Sequence, residues 1–180
     1  IFYETIGAVR RGKEIFEGWH KVNGDQIEDV EKYIYDYMSL HGHHNIELMI
    51  GSDSMLRSKE KGVHELRLLS VICFYKPGKG AHIIKRKDNT TFNYFVKTAQ
   101  KLNAEVQKTY EFVRYLADLN LKPKVHLDLN PNQDFESFNV YSTIKGFFES
   151  LGYITEYKPD SCAAMAAAET LKAQNIGAFV

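Results

Sequence analysis

The chain has 180 residues, of which 44% are hydrophobic and 13% aromatic, and this predicts one globular domain with a sizeable apolar core. Its 23 Lys and Arg residues equal its 23 Asp and Glu residues, which excludes a protein that binds nucleic acid through a global positive field. A net-neutral protein can still concentrate basic side chains on one surface, so composition neither supports nor excludes a nucleic-acid partner.

The cysteine content and the N-terminal residues bear on the compartment. Cys73 lies in an apolar run and Cys162 in an alanine-rich segment, and two such thiols do not form the framework of a disulfide-rich secreted protein. The first residues lack the pattern of a signal peptide, and no stretch of the sequence reaches membrane-spanning length. We therefore expect a cytoplasmic protein with no membrane partner.

The N-terminal part of the chain divides into an arm and a helix. Residues 1–24 mix charges, glycines and the single tryptophan, Trp19, without a sustained period, and we predict a loosely structured arm. Residues 25–180 are expected to form one domain, which begins with a helix over 25–41. A capping-box spacing and apolar residues at helical intervals support this helix. They are Asp25 and Glu28, followed by Val30, Ile34, Tyr37 and Met38.

Three short runs rich in β-branched and aromatic residues follow and predict three strands joined by short turns, an antiparallel meander. The second run is apolar on both faces, as in a central strand. The third alternates and carries Lys85, Arg86 and Lys87, as in an edge strand. The predicted strands cover residues 47–54, 65–75 and 81–87.

The rest of the chain alternates helices with strands, and its order predicts the fold class. The whole order is β-β-β-α-β-α-β-α behind the N-terminal helix, which indicates an α/β core over residues 45–175 with a mixed five-stranded sheet and helices on both faces. The predicted elements are a helix over 92–119, a strand over 124–129, a helix ending at Gly152, a strand over 153–158 and an alanine-rich helix capped by Asp160 or Ser161.

Two aspartates lie at the carboxyl ends of predicted central strands. Asp53 ends the first strand and Asp128 lies near the equivalent end of the fourth. Ligands bind beyond these ends in sheets with parallel neighbours, although Asp is also common where a strand gives way to a turn. Their joint occurrence favours a function, because two buried carboxylates repel each other and lose hydration, a cost that a divalent cation removes.

Glu105 lies at the border of the apolar stripe of the long helix, a position in which most glutamates are simply solvated. Together with Asp53 and Asp128 it gives a set of oxygen ligands that suits Mg²⁺ or Mn²⁺. Two such ions about 4 Å apart can activate a water and stabilise the leaving oxygen of a phosphodiester.

Four segments resemble, in their order and spacing, the YkuK-like family of bacterial proteins, which are predicted ribonuclease-H-like nucleases. The resemblance covers residues 45–173, and the segments are Gly51-Ser52-Asp53-Ser54, Gly78-Lys79-Gly80-Ala81, Asp128-Leu129-Asn130 and Lys158-Pro159-Asp160-Ser161-Cys162-Ala163-Ala164. It implies a ribonuclease-H-like fold whose metal site contains Asp53, Glu105, Asp128 and Glu169. The family pattern has Ala-Asp where this sequence has Ala168-Glu169. Asp160 therefore stays an alternative to Glu169, although an N-cap role fits Asp160 as well.

Further polar residues have weaker patterns. His41, His43 and His44 favour a solvated turn over a zinc site, and His126 favours a packed histidine over a partner of Asp128. Lys158 either meets a phosphate or covers the sheet edge. Three basic clusters are candidates for contacts with a nucleic-acid backbone. They are Arg10-Arg11-Lys13, Lys76 with Lys79, and Lys85-Arg86-Lys87.

The sequence thus predicts a Mg²⁺- or Mn²⁺-dependent nuclease that cleaves RNA, DNA or an RNA–DNA hybrid by a two-metal-ion mechanism. The alternative is a non-catalytic nucleic-acid-binding protein that retains the ribonuclease-H-like fold, motivated by Glu169 and the zero net charge. A nucleotide-hydrolysing enzyme ranks third, because the sequence has no phosphate-binding Gly-x-x-x-x-Gly-Lys-Ser/Thr loop. The type of nucleic acid and the oligomeric state stay open.

Overall fold

The computed structural model describes residues 17–58, 63–92, 98–129, 132, 138–158, 160–163 and 166, and this part of the chain forms one mixed β-sheet with helices packed on it. Residues 162, 163 and 166 are also helical, and a 3-10 turn spans His43–Asn45. None of the described helices is long and apolar enough to cross a membrane. In chain order the elements are β1 (Trp19–Lys21), β2 (Gln26–Ile27), α1 (Val30–His41), β3 (Glu47–Ser58), β4 (His64–Lys76), β5 (Gly80–Phe92), α2 (Thr98–Asp118), β6 (Lys124–Leu127), α3 (Phe138–Ser150) and β7 (Thr155–Glu156).

The order of the strands in the sheet is β2-β1-β5-β4-β3-β6-β7. The long strands β3, β4 and β5 form the predicted antiparallel meander, and β6 and β7 join it in parallel. Parallel neighbours need helical crossovers, and α2 and α3 provide them. The mixed α/β class predicted from the order of elements is confirmed.

Side-chain alternation divides the sheet between two cores. Even-numbered residues of the meander, such as Ile50 and Ile72, pack with α1, α2 and α3 in the larger core. Odd-numbered residues, such as Met49 and Val71, form a smaller core on the opposite face, where Ala163 joins them. Helical residues therefore lie on both faces of the sheet, as the sequence predicted.

The sheet has seven strands within the described residues instead of the five that were predicted, and one addition lies in the predicted arm. Trp19 is fully buried, and its ring meets that of Phe112 edge-on at 5.1 Å between centroids. The prediction of a loose arm is wrong for residues 19–21, because a three-residue strand shows no period and depends on the hydrogen bonds of its partner. That partner is β5, which is consequently flanked on both sides and is not an edge strand.

Several element boundaries differ from the predicted ones. Asp29, not the Asp25–Glu28 capping box, caps α1, and its carboxylate accepts a hydrogen bond of 2.9 Å from the backbone N–H of Lys32. The meander strands continue beyond their apolar runs, so that Phe92 ends β5 and is not the start of the long helix. Mutual backbone pairing extends these strands, and pairing is not visible in a single segment.

Trp19→Ala is expected to reduce the free energy of unfolding by about 3–5 kcal/mol, because it removes a fully buried indole ring from the larger core. Val22→Ala is the matched control, since Val22 is 63% exposed and its loss should cost less than about 0.5 kcal/mol. Urea denaturation followed by circular dichroism measures both changes. Equal stability of the two variants would show that β1 is dispensable for the fold.

Candidate active site

Asp53 and Asp128 lie side by side where two parallel strands separate. The last backbone-paired residues of β3 and β6 are Ser52 and Leu127, and each aspartate is the next residue in its strand direction. The sequence predicted that Asp53 ends β3, and this is wrong. Pairing with β4 continues the strand to Ser58. The predicted adjacency of the two aspartates nevertheless holds, because parallel strands in this register put consecutive residues at the same level.

Glu105 projects from α2 toward β3 and is only 4% exposed. The hydroxyl of Ser54 donates a hydrogen bond of 2.6 Å to Glu105 Oε1. Ser54 directly follows Asp53, so this hydrogen bond holds the glutamate beside the aspartate-bearing segment. The common alternative, a solvated glutamate at the border of the apolar stripe, is wrong here because α2 packs closely on β3 at this point.

Two lysines lie against these carboxylates. Lys101 Nζ is 3.3 Å from Glu105 Oε1 and 3.9 Å from Asp53 Oδ1, and Lys158 Nζ is 2.6 Å from Asp128 Oδ1. Lys158, which the sequence predicted to meet a phosphate or cover the sheet edge, forms an ion pair with Asp128 in the structure. Lys101 was missed by the sequence analysis, although its position one helical turn before Glu105 is the spacing of an intrahelical ion pair.

The electrostatics of the site show two carboxylates in an unfavourable environment. Burial raises the pKa of Asp53, and the charge of Asp128 adds to the rise against the opposing effect of Lys101. Burial raises the pKa of Glu105 to about 7, and Asp53 adds to it while Lys101 and Ser54 oppose it. Burial alone would lower the pKa of Lys101, but Glu105 and Asp53 outweigh it and the net change is a rise. The buried acids therefore lack positive charge despite the lysines.

The donor set fits a hard divalent cation by its chemistry, since it consists of carboxylate oxygens without thiolate or imidazole. Among the described residues, no three His, Cys, Asp or Glu side chains are close enough to hold one ion by themselves. Mg²⁺ commonly takes only one or two protein carboxylates and completes its shell with water and substrate phosphate. Asp53 and Asp128 satisfy that requirement, and the raised pKa values show where an additional cation would stabilise the site.

The two candidates for a fourth carboxylate have different outcomes. Glu169 lies outside the described residues. Asp160 is exposed and lines a surface pocket with Glu156, Lys124 and Cys162, beside β6 and β7. Its backbone carbonyl accepts a hydrogen bond of 2.9 Å from the N–H of Cys162, at the first helical residue of this segment.

His126 is a packed histidine, as the sequence indicated. It is 2% exposed, and the backbone N–H of Ala163 donates a hydrogen bond of 3.2 Å to its Nδ1. Nδ1 is therefore the unprotonated nitrogen, and burial lowers the pKa of the ring to about 4. His126 and Asp128 share one face of the sheet, so this contact positions the start of the last helical segment on the face that carries the aspartates.

The remaining polar candidates lie away from the carboxylates or outside the described residues. His43 and His44 are exposed in the 3-10 turn, and the ring of His41 packs on that of Tyr37 with 4.4 Å between centroids. The turn predicted from these histidines is confirmed. The Arg10-Arg11-Lys13 cluster lies outside the described residues.

Comparison with known proteins gives one match. A family model described as Ribonuclease H-like matches residues 29–172, which include every carboxylate of the candidate site. No curated protein and no solved structure matches the chain.

Glu105→Gln is expected to stabilise the cation-free protein by roughly 3 kcal/mol at about pH 8 and to have little effect near pH 4. The folded-state pKa of about 7 lies above the ordinary 4.5, so the folded protein binds more protons in that window and loses stability as pH rises through it. Glutamine has no proton to lose. Chemical denaturation across this pH range in the presence of a chelator measures the difference.

Glu111→Gln on the same helix is the matched control, because Glu111 is a partly exposed partner of Lys108 and should change stability by less than about 0.5 kcal/mol. A Glu105→Gln variant that is less stable than wild type at every pH would contradict the assignment of Glu105 as a strained, buried acid.

Proposed function

The chain belongs to the ribonuclease H-like family, and on that premise we propose that it is a Mg²⁺- or Mn²⁺-dependent nuclease that hydrolyses phosphodiester bonds. The observation that carries the proposal is the convergence of Asp53, Asp128 and Glu105 at the point where β3 and β6 separate. The buried Asp53 and Glu105 beside Asp128 are costly to ionise unless a cation binds, and the chemistry of carboxylates selects a hard one.

We assign the metal-holding role to Asp53, Asp128, Glu105 and, from outside the described residues, Glu169. When bound, divalent ions supply an activated water and stabilise the charge on the leaving oxygen. The protein holds its carboxylates on rigid elements, since β3 and α2 are fixed by the meander and the larger core. This rigidity keeps the ligand oxygens in place without reorganisation during the reaction.

Lys101 and Lys158 have a distinct role in this proposal. In the cation-free protein their ammonium groups partly neutralise Glu105, Asp53 and Asp128. Both side chains retain exposure, 31% for Lys101 and 44% for Lys158, so either can turn outward when a divalent ion binds. An ammonium released beside the site would then meet the phosphate of the substrate.

The finer assignments are proposals as well. Membership of the YkuK-like group rests on the order of the segments Gly51–Ser54 and Asp128–Asn130, and a cytoplasmic location rests on the cysteine pattern. The substrate is nucleic acid, with RNA, DNA and an RNA–DNA hybrid as the forms to compare, because a fold of this kind hosts enzymes with different substrates.

Asp53→Asn and Asp128→Asn are each expected to reduce metal-dependent cleavage by at least about a hundredfold, because each removes a charge that holds the cation. The assay is cleavage of labelled hybrid, single strands, duplexes and a four-way junction with Mg²⁺ or Mn²⁺. Asp36→Asn is the control for purity and folding, since the Asp36 side chain is 65% exposed on α1. Equal cleavage by all the variants would attribute the activity to a contaminant.

A non-catalytic nucleic-acid-binding protein is the second candidate, and the two lysines favour it. Two ammonium groups already neutralise part of the carboxylate charge, so the site needs less positive charge from a metal ion. In addition, the described residues form no three-ligand cluster. Calorimetric titration with Mn²⁺ separates the candidates. The nuclease should bind Mn²⁺ with an affinity that Asp53→Asn removes, whereas the non-catalytic protein should release no binding heat.

A further inference from the structure

Four basic side chains lie on the same face of the meander as Asp53. In the sheet register Leu69 pairs with Asp53, and Lys87 pairs with Leu69, so these three residues form one row across β3, β4 and β5. Neighbouring strands lie about 4.8 Å apart, which puts the Cα atom of Lys87 about 10 Å from that of Asp53. Lys85 and Arg67 lie in the two adjoining rows of this face, and Arg57 lies one row beyond that of Arg67.

The positive charge of this basic face, Arg57, Arg67, Lys85 and Lys87, is only partly neutralised. Arg67 Nε donates a hydrogen bond of 2.9 Å to Glu65. Lys85 Nζ lies 3.4 Å from the backbone oxygen of Val22, which carries no net charge. Within the described part of the chain, neither lysine forms an ion pair with a carboxylate.

Mutual repulsion among these groups is visible at Lys87. Burial lowers the pKa of Lys87, and the nearby charges of Arg67, Lys85 and Arg57 lower it further. Lys87 is nevertheless exposed, and the side chain of Arg67 is 27% exposed, so both can be reached from solvent. A polyanion laid on this face would relieve the repulsion.

We propose that the basic face binds the phosphate backbone of the nucleic-acid substrate on the β5 side of the carboxylate site, beside the smaller core to which Leu69 belongs. The inference rests on the nuclease function proposed above and deepens it by assigning the surface that holds the substrate. The contacts are to phosphates, so this face contributes affinity and register without reading base sequence.

The test compares Lys85→Ala/Lys87→Ala with a double variant that loses the same charge elsewhere. Lys32→Ala/Lys145→Ala is that control, because Lys32 lies on α1 and Lys145 on α3, and both helices pack in the larger core on the opposite face of the sheet. The probe is a fluorescein-labelled oligothymidylate, and its binding is followed by anisotropy with a chelator present, so that no cleavage occurs. Titrations run at salt concentrations between about 50 and 200 mM.

Each lost phosphate contact should reduce the slope of log affinity against log salt by about 0.7 for a single strand. We therefore expect the Lys85/Lys87 variant to lose about 1.4 from the slope and roughly tenfold in affinity at the lowest salt, with Mn²⁺ binding unchanged in calorimetry. The Lys32/Lys145 control should keep the wild-type slope.

The outcomes separate this inference from the nuclease proposal. An unchanged slope in the Lys85/Lys87 variant, with cleavage by the wild type intact, overturns the basic face alone. Binding that depends on these lysines in a protein that cleaves nothing supports the basic face and overturns the nuclease. Absence of any affinity for the probe in the wild-type protein overturns the basic face, whereas the nuclease proposal is decided by the cleavage assay.

Discussion

The ammonium of Lys101 between the carboxylates of Asp53 and Glu105 is the contact around which the site is arranged. It joins α2 to β3 at the place where both acids are buried. Lys101 Nζ lies 3.9 Å from Asp53 Oδ1 and 3.3 Å from Glu105 Oε1. Without a positive charge there, two neighbouring acids could not both be ionised inside the fold. Burial still raises the pKa of both acids, so one lysine does not replace the charge that a divalent cation would bring.

The position of that contact depends on the different partners of β3. On one side β4 pairs with β3 along its whole length, whereas on the other side β6 pairs only as far as Ser52. The segment that begins at Asp53 is thus rigid on one edge and open on the other. At this level Lys101 of α2 lies 3.9 Å from Asp53. On the paired edge, β4 and then β5 follow β3 in the sheet, and they carry Arg67, Lys85 and Lys87 of the basic face.

The carboxylate site and the basic face carry charges of opposite sign. Asp53, Glu105 and Asp128 concentrate negative charge that attracts a cation. Positive charge lies one strand away at Arg67 and two strands away at Lys85 and Lys87. A chain with zero formal net charge can therefore recognise a polyanion locally.

Sequence patterns predicted the class of the fold, the three-stranded meander and the placement of Asp53 beside Asp128, because these follow from alternation, apolar runs and the order of elements. They failed for Trp19, since a strand of three residues has no period of its own. They also failed at both ends of the meander, where strands continue through polar residues because a partner strand accepts and donates their hydrogen bonds. The edge assignment of β5 was wrong for the same reason.

The sequence by itself determined which residues are the candidates for the chemistry, since the types and order of Asp53, Glu105 and Asp128 are those expected of ligands to a hard cation. Only the tertiary structure decided that Glu105 is buried, that Lys101 and Lys158 already lie on these acids, and that Lys87 shares a row with Asp53. Each of these facts depends on distance between segments far apart in the chain. Burial and Coulomb interactions arise from that proximity, which no single segment of sequence contains.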